Sequence, residues 1–277
     1  MVIYVRRIVR VVRVAAFMAV FLTLGAVNAQ TPDLDNAVAL AESSPVVLRI
    51  GVYNNPPKTF VNDEQRPDGM FWHLLEQIAI RERWQLETVV CEWNACLLML
   101  EQGAIDLMPD VAMSDIRRER FAFKQEPALL SWSQLFERDG LGILSLLDIE
   151  QKRIAVLQGS VQYAFLLELV RSFNMNVQWV ILDTIEQAFI AVADGRADAV
   201  VSNHFYGDQQ ALQHGFTRTP VIFQPIQLYF ATAIGRHAAI LERIDSYLIN
   251  WKADPSSPYF EALSAWDIEP PLSFVPN

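Results

Sequence analysis

The sequence predicts an α/β protein of two lobes, each a mostly parallel sheet wrapped by helices, the lobes joined by two hinge crossovers. Three observations carry this. Short β-rich runs alternate with amphipathic segments of helical length through most of the chain after Val46. The same order of elements occurs twice, once from Val46 and again from Lys152. Both runs also contain a Gly at the end of a helix with an Asp three residues later, Gly103-Ala-Ile-Asp106 and Gly195-Arg-Ala-Asp198, at the entry to an apolar strand. Glycine suits the left-handed residue that ends a helix, and the Asp is expected to satisfy turn amides.

In the first run, Val46–Val52 reads as a strand that ends at the breaker cluster Asn54-Asn55-Pro56-Pro57. Residues 69–83 carry Phe71, Leu74, Leu75, Ile78 and Ala79 at helical spacing. Residues 86–90 read as a strand, 94–101 as a second helix and 105–108 as a short apolar strand. The second run gives strand 153–157, helix 161–172, strand 177–182, helix 185–193 and strand 199–202. Two extended segments, 129–136 and 228–233, are what a chain needs to cross into a lobe and return. The expected organisation is a signal peptide at 1–29, a linker at 30–45, one lobe from 46–134 and 228–268, the other from 135–227, and a tail at 269–277.

Composition removes several classes of function. With 52% hydrophobic residues in 277 positions, the chain is neither disordered nor low in complexity. The formal net charge is -10, from 32 acidic against 22 basic residues, which disfavours a phosphate-neutralising surface and so nucleic acid as a partner. Four of the basic residues, Arg6, Arg7, Arg10 and Arg13, precede an apolar run from Val14 to Val27 with small side chains at Val27 and Ala29. That is the pattern of a secretory signal peptide, with an uncleaved N-terminal anchor as the alternative. Export to the periplasm is the expected location.

An oxidising compartment makes a disulfide the leading reading of Cys91-Glu-Trp-Asn-Ala-Cys96, and two buried thiols the alternative. Zinc is disfavoured, because none of the four histidines stands at ligand spacing from the cysteines. No metal or cofactor is expected. No Gly-x-Ser-x-Gly elbow, His-Glu-x-x-His, phosphate-binding loop or dinucleotide fingerprint is found. In open α/β sheets ligands sit beyond the C-terminal ends of the strands, which directs attention to Asn54–Pro57, Trp93, Asp110–Arg117, Gly159–Gln162 and Asn203–His204.

A set of motifs now falls into order: Lys58-Thr-Phe60 before Gly69-Met-Phe-Trp, Gly103-Ala-Ile-Asp106, Ser114-Asp-Ile-Arg117 with Phe121-Ala-Phe123, Val156-Leu-Gln-Gly-Ser160 and Gly195-Arg-Ala-Asp198. In order and spacing the sequence resembles the family 3 extracytoplasmic solute-binding proteins, from about Val47 to Trp266. Met108-Pro-Asp-Val111 and the stretch from Trp251 to Tyr259 look more like the sensor-domain branch, often fused to histidine kinases. The resemblance implies a two-lobed periplasmic-binding-protein fold, a monomer that closes over a small-molecule solute, and a permease or a sensor protein as partner.

Carried over position by position, the resemblance makes Arg117 the clamp for a ligand carboxylate, a role that suits a guanidinium fork; the alternative is a solvated surface charge. Ser160 matches a hydroxyl at a helix N-terminus in the second lobe, with a plain N-cap as the alternative. Asp110 and Ala112 stand where amino-acid binders place hydroxyl residues, and Asn203 stands where many place an acid for the ligand amine. Asp110 is the remaining candidate for that charge. Asn55 at a strand end and Trp93 as an aromatic cover complete the candidate ligand set, while Trp72 reads as packing. His204 is a hydrogen-bonding candidate at the cleft edge. In the less favoured dehydratase-like reading it is a general base opposite Asp110. The sequence reading is therefore a non-catalytic solute-binding protein for a small polar, carboxylate-bearing, amino-acid-like solute, with a ligand-gated or ligand-independent sensor or interaction module as the alternative.

Overall fold

The computed structural model describes residues 45–269, so the expected signal peptide and the tail beyond Glu269 lie outside the described residues, as does all but the end of the linker. Strand β1 (Val46–Val52) buries Leu48, Ile50 and Val52 and pairs in parallel with β4 (Trp84–Val90). Between them lie the two-residue strands β2 (Phe60–Val61) and β3 (Pro67–Asp68) and helix α1 (Met70–Glu82). The stripe on α1, Phe71, Leu74, Leu75 and Ile78, packs on that sheet, as its 3.6-residue period requires. Trp72 is buried beside it, and its indole N–H donates to Glu76.

Helix α2 (Trp93–Gln102) ends at Gly103 (φ 75°), and the chain then enters β5 (Met108–Ala112), α3 (Asp115–Arg118) and β6 (Phe121–Ala122). The expected strand at 105–108 is thus displaced. Ile105 and Leu107 are buried in the turn, where Leu107 only bridges Ile50, and regular pairing begins at Met108. Strand β7 (Leu129–Arg138) leads into a second unit made of β8 (Arg153–Leu157), α4 (Val161–Ser172), β9 (Gln178–Leu182), α5 (Ile185–Ala193), β10 (Ala199–Asn203) and α6 (His204–His214). Its strands run parallel, β10 and β9 flanking β8. Both faces are covered: Ile154 and Val156 pack with Leu166 and Val170, while Ala155 and Val200 pack with Ala188, Phe189 and Val192. Burial on two sides explains why these strands read as continuous apolar runs.

The return crossover, β11 (Phe216–Ala233), is much longer than the expected 228–233, and the chain closes with α7 (Ala238–Lys252) and α8 (Pro258–Ala265). β11 pairs antiparallel with β7, from Phe216 opposite Arg138 to Leu228 opposite Leu129. Its register slips twice, between Arg218 and Ile222 and between Phe223 and Ile226. Each slip contains a proline, Pro220 or Pro225, which has no N–H to give a ladder. The interruptions hid the strand from period-two reading. Pairing is mixed as a result: β1 with β4, and β8 with β9 and β10, are parallel, whereas β7 and β11 pair antiparallel with each other and with β10 and β5 respectively.

The repeated Gly-x-x-Asp also has a different role from the one expected. Asp106 accepts from the backbone N–H, Nε and Nη2 of Arg49 at 2.9, 2.9 and 2.6 Å, and Gly103 O accepts from the same guanidinium at 2.7 Å. Asp198 binds Arg153 in the same way, at 2.8, 3.2 and 2.6 Å, with Gly195 O at 2.7 Å. Each Asp therefore ties the helix end to an Arg on the neighbouring strand. Its partner is distant in sequence rather than a local turn amide.

Cys91 and Cys96 form a disulfide that joins the end of β4 to the first turn of α2. Closing so short a loop removes little chain entropy. Replacing both cysteines by Ser should lower unfolding stability by at most ~2 kcal/mol, read from urea midpoints. A much larger loss would mean that the bridge holds more than this turn.

Candidate functional site

Asn55, Trp93, Asp110, Arg117, Ser160 and Asn203 all line one cavity of about 50 Å³, at the C-terminal ends of β1, β5, β8 and β10. Arg117 reaches it from α3, a single turn whose N-cap Ser114 accepts from the Arg117 N–H at 3.3 Å. The guanidinium is buried. Its Nη1 donates to Ala112 O at 2.9 Å, its Nη2 approaches Gly159 O at 3.4 Å, and it lies over the Trp93 ring at 4.9 Å. None of the described carboxylates lies within ion-pairing distance of it. Burial pulls the Arg117 pKa down to about 10, so the group stays charged at neutral pH.

Asp110 enters the cavity through a β-bulge. Pairing with β11 steps from Val111 opposite Tyr229 to Met108 opposite Ala231, and Asp110 takes a left-handed backbone conformation, φ 56°. The bulge aims its carboxylate at three donors: Tyr53 Oη at 2.6 Å, Asn55 Nδ2 at 2.8 Å and Lys58 Nζ at 2.8 Å. The Lys58 and Asp110 side chains are 3% and 0% exposed, so this ion pair is fully internal. Burial lowers the Lys58 pKa and raises that of the Tyr53 hydroxyl. Lys58 is brought round by a turn in which the N–H groups of Lys58 and Thr59 both donate to Asn55 O.

The second lobe contributes helix N-termini. Ser160 Oγ accepts from Tyr163 N at 3.1 Å and caps α4; Asn203 Oδ1 accepts from Tyr206 N at 3.1 Å and caps α6. Asn203 Nδ2 also donates across the cleft to Asn55 Oδ1 at 3.2 Å, and Asn94 Nδ2 donates to Gln158 O at 3.1 Å. The lobes are in contact, with the cavity between them. Gly159 makes this approach feasible: its φ is 70°, and a Cβ there would stand 2.4 Å from Asn94 Oδ1.

His204 is not brought to this cavity. It lines a neighbouring groove of about 1180 Å³ with Trp132, on which it stacks at 3.5 Å. Its Nδ1 accepts from Trp132 N at 3.3 Å and lies 3.1 Å from Ser131 Oγ, so the imidazole does not face Asp110 as a general base would. Burial holds its pKa down at about 3. An unfolded histidine titrates near ~6.5, so below that pH the unfolded chain binds a proton that the native chain refuses. Stability from this group is complete above about pH 6.5 and is lost as the pH falls toward 3. Urea unfolding at about pH 7 and about pH 5 should show this loss, and His204→Gln should flatten it. An unaltered slope in that variant would assign the acid sensitivity elsewhere.

Sequence reasoning missed Tyr53, Lys58 and Ser202. Tyr53 and Lys58 flank the breaker cluster, but no local feature reveals that Lys58 meets a residue 52 positions away. Ser202 and Trp93 line the cavity, and their buried Oγ and Nε1 have no hydrogen-bond partner among the described residues. Among the described residues no group of three or more His, Cys, Asp or Glu is arranged to hold a metal ion.

A cavity closed between two α/β lobes, at strand C-termini and beside a pair of crossing strands, defines a solute-binding-protein fold. The family resemblance is borne out: residues 48–142 match the family model of the bacterial extracellular solute-binding proteins, family 3. YxeM of Bacillus subtilis (strain 168), described as a probable amino-acid-binding protein, is 23% identical over 223 residues, covering 79% of this chain and 80% of YxeM. Among solved structures, an ancestral arginine-binding protein bound to glutamine is similar with a TM-score of 0.72 and 22% identity, over 80% of this chain and 98% of that one. A histidine kinase sensor domain with similarity to periplasmic binding proteins is similar with a TM-score of 0.71 and 19% identity, over 82% of this chain and 98% of that one.

Proposed function

We propose that this protein is an exported, non-catalytic solute-binding protein that closes over a small carboxylate-bearing solute and presents it to a transporter or a sensor. The observation that carries the reading is the buried Arg117 guanidinium, which lines the cavity between the lobes with no carboxylate of the described residues paired to it. A buried cation without a partner is costly, and a ligand carboxylate relieves that cost with charge-assisted hydrogen bonds. Trp93 supplies an aromatic wall, while Ser160 and Asn203 hold two helix N-termini toward the same space, where an anion is favoured. A solute touching both lobes stabilises the closed arrangement and so selects it.

The likeness to a kinase sensor domain favours a signalling partner as the second reading. A thermal-shift screen of the exported protein against amino acids, other carboxylates, amines and sugars tests the main one, because a native-state ligand raises the melting temperature saturably. A shift from carboxylates alone is expected. A cooperative melt with no shift across the panel, together with a membrane-receptor complex that forms equally without solute, would replace it with the interaction reading.

A further inference from the structure

We propose that the solute carries a carboxylate but no ammonium group, and that it is a short aliphatic 2-oxo or 2-hydroxy acid. This inference rests on the carboxylate reading above and narrows it. The charged side chains lining the cavity are Lys58, Asp110 and Arg117. Lys58 and Asp110 neutralise one another, which leaves the single positive charge of Arg117 for the solute.

An α-amino acid brings an ammonium that needs its own acceptor. Among the described residues Asp110 is the one carboxylate lining the cavity, and its oxygens already take Lys58, Tyr53 and Asn55. Three of its about four acceptor positions are taken and Lys58 already balances its charge, so an incoming ammonium gains little net electrostatic stabilisation from it. On the opposite wall Asn203 spends its oxygen on the α6 cap and its amide on Asn55, and no acid accompanies it. An ammonium enclosed here is a buried charge without a partner.

The unpartnered groups ask for the opposite chemistry. Trp93 Nε1 is a donor only, and Ser202 Oγ donates as readily as it accepts; both side chains line the cavity, and these atoms are buried with no hydrogen-bond partner among the described residues. An oxygen on C2 of the solute, beside the carboxylate held by Arg117, matches both, whereas a nitrogen cation can donate to Ser202 Oγ but cannot accept from Trp93 Nε1. Ile185, Val201 and Ile226 leave an apolar wall for a short aliphatic tail.

The test is calorimetric titration of the exported protein with sets of identical skeleton that differ only at C2: α-ketobutyrate, α-hydroxybutyrate and α-aminobutyrate, then α-ketoisovalerate, α-hydroxyisovalerate and valine. The keto or hydroxy acid is expected to bind at least about tenfold more tightly than its amino acid. Equal or tighter binding of the amino acid overturns this inference and leaves the carboxylate reading standing. Binding of amines or sugars instead, undisturbed by Arg117→Met, overturns both. Lys58→Gln supplies a second arm, since it leaves Asp110 charged without an internal cation. The amino acids should then gain affinity relative to the keto acids, and an unchanged preference counts against the proposal.

Discussion

Replacing Arg117 by Ala is expected to weaken solute binding by ~2–5 kcal/mol, about 30-fold to several thousandfold in Kd. The guanidinium is buried over Trp93 and anchored through Ala112 O, so its remaining N–H groups are held in place before a ligand arrives. Preorganisation of this kind is lost entirely on truncation. Arg117→Lys should recover only part of the affinity, because an ammonium keeps the charge and loses the planar fork. A separate measurement distinguishes a ligand role from a structural one. Arg117→Met should leave the ligand-free protein as stable as before or more so, because it removes a buried cation that no carboxylate balances. Calorimetry on a folded Arg117→Ala variant with unchanged Kd would remove this residue from the site.

Asp110→Ala should lower unfolding stability by ~3–5 kcal/mol, because it strands Lys58 as a buried, uncompensated charge. The double variant Asp110→Ala with Lys58→Met should recover most of that loss, since it removes both desolvated charges together. Denaturant unfolding of the two single variants and the double closes the cycle. Strict additivity would show that the pair is not coupled and would undo the electrostatic account of the cavity.

The helices were largely legible in the sequence. The stripe of Phe71, Leu74, Leu75 and Ile78, and the helices at Val161–Ser172 and Ile185–Ala193, follow from period and capping, which are interactions between near neighbours. Thr184 and Ser160 cap their helices by accepting from N–H groups three residues on, a relationship contained in a few adjacent positions. Less was legible where pairing crosses long stretches of chain. β11 was seen only at its last residues, because Pro220 and Pro225 break its alternation and only β7 supplies the ladder that makes the rest a strand. The shared Gly-x-x-Asp was visible as a repeat. Its partners, Arg49 and Arg153, stand 57 and 45 positions away and were not.

The candidate site divides along the same line. Arg117, Asp110, Trp93, Asn55, Ser160 and Asn203 were each marked by lying at a strand end or in a family motif, and the fold gathers all six around one cavity. His204 carried the same strand-end mark as Asn203, yet it lines the adjacent groove, because α6 begins there and turns the ring onto Trp132. The sequence by itself determined the alternation of elements, their doubling and most of the strand-end positions that line the cavity, since these depend on periodicity and local backbone preference. Only the tertiary structure decided the charge of the site. Whether Asp110 is free to hold a ligand ammonium depends on a bulge in β5 and a turn after β1 that bring Lys58 to within 2.8 Å of it, and Coulombic pairing in a buried space is a property of distance, which sequence separation does not encode.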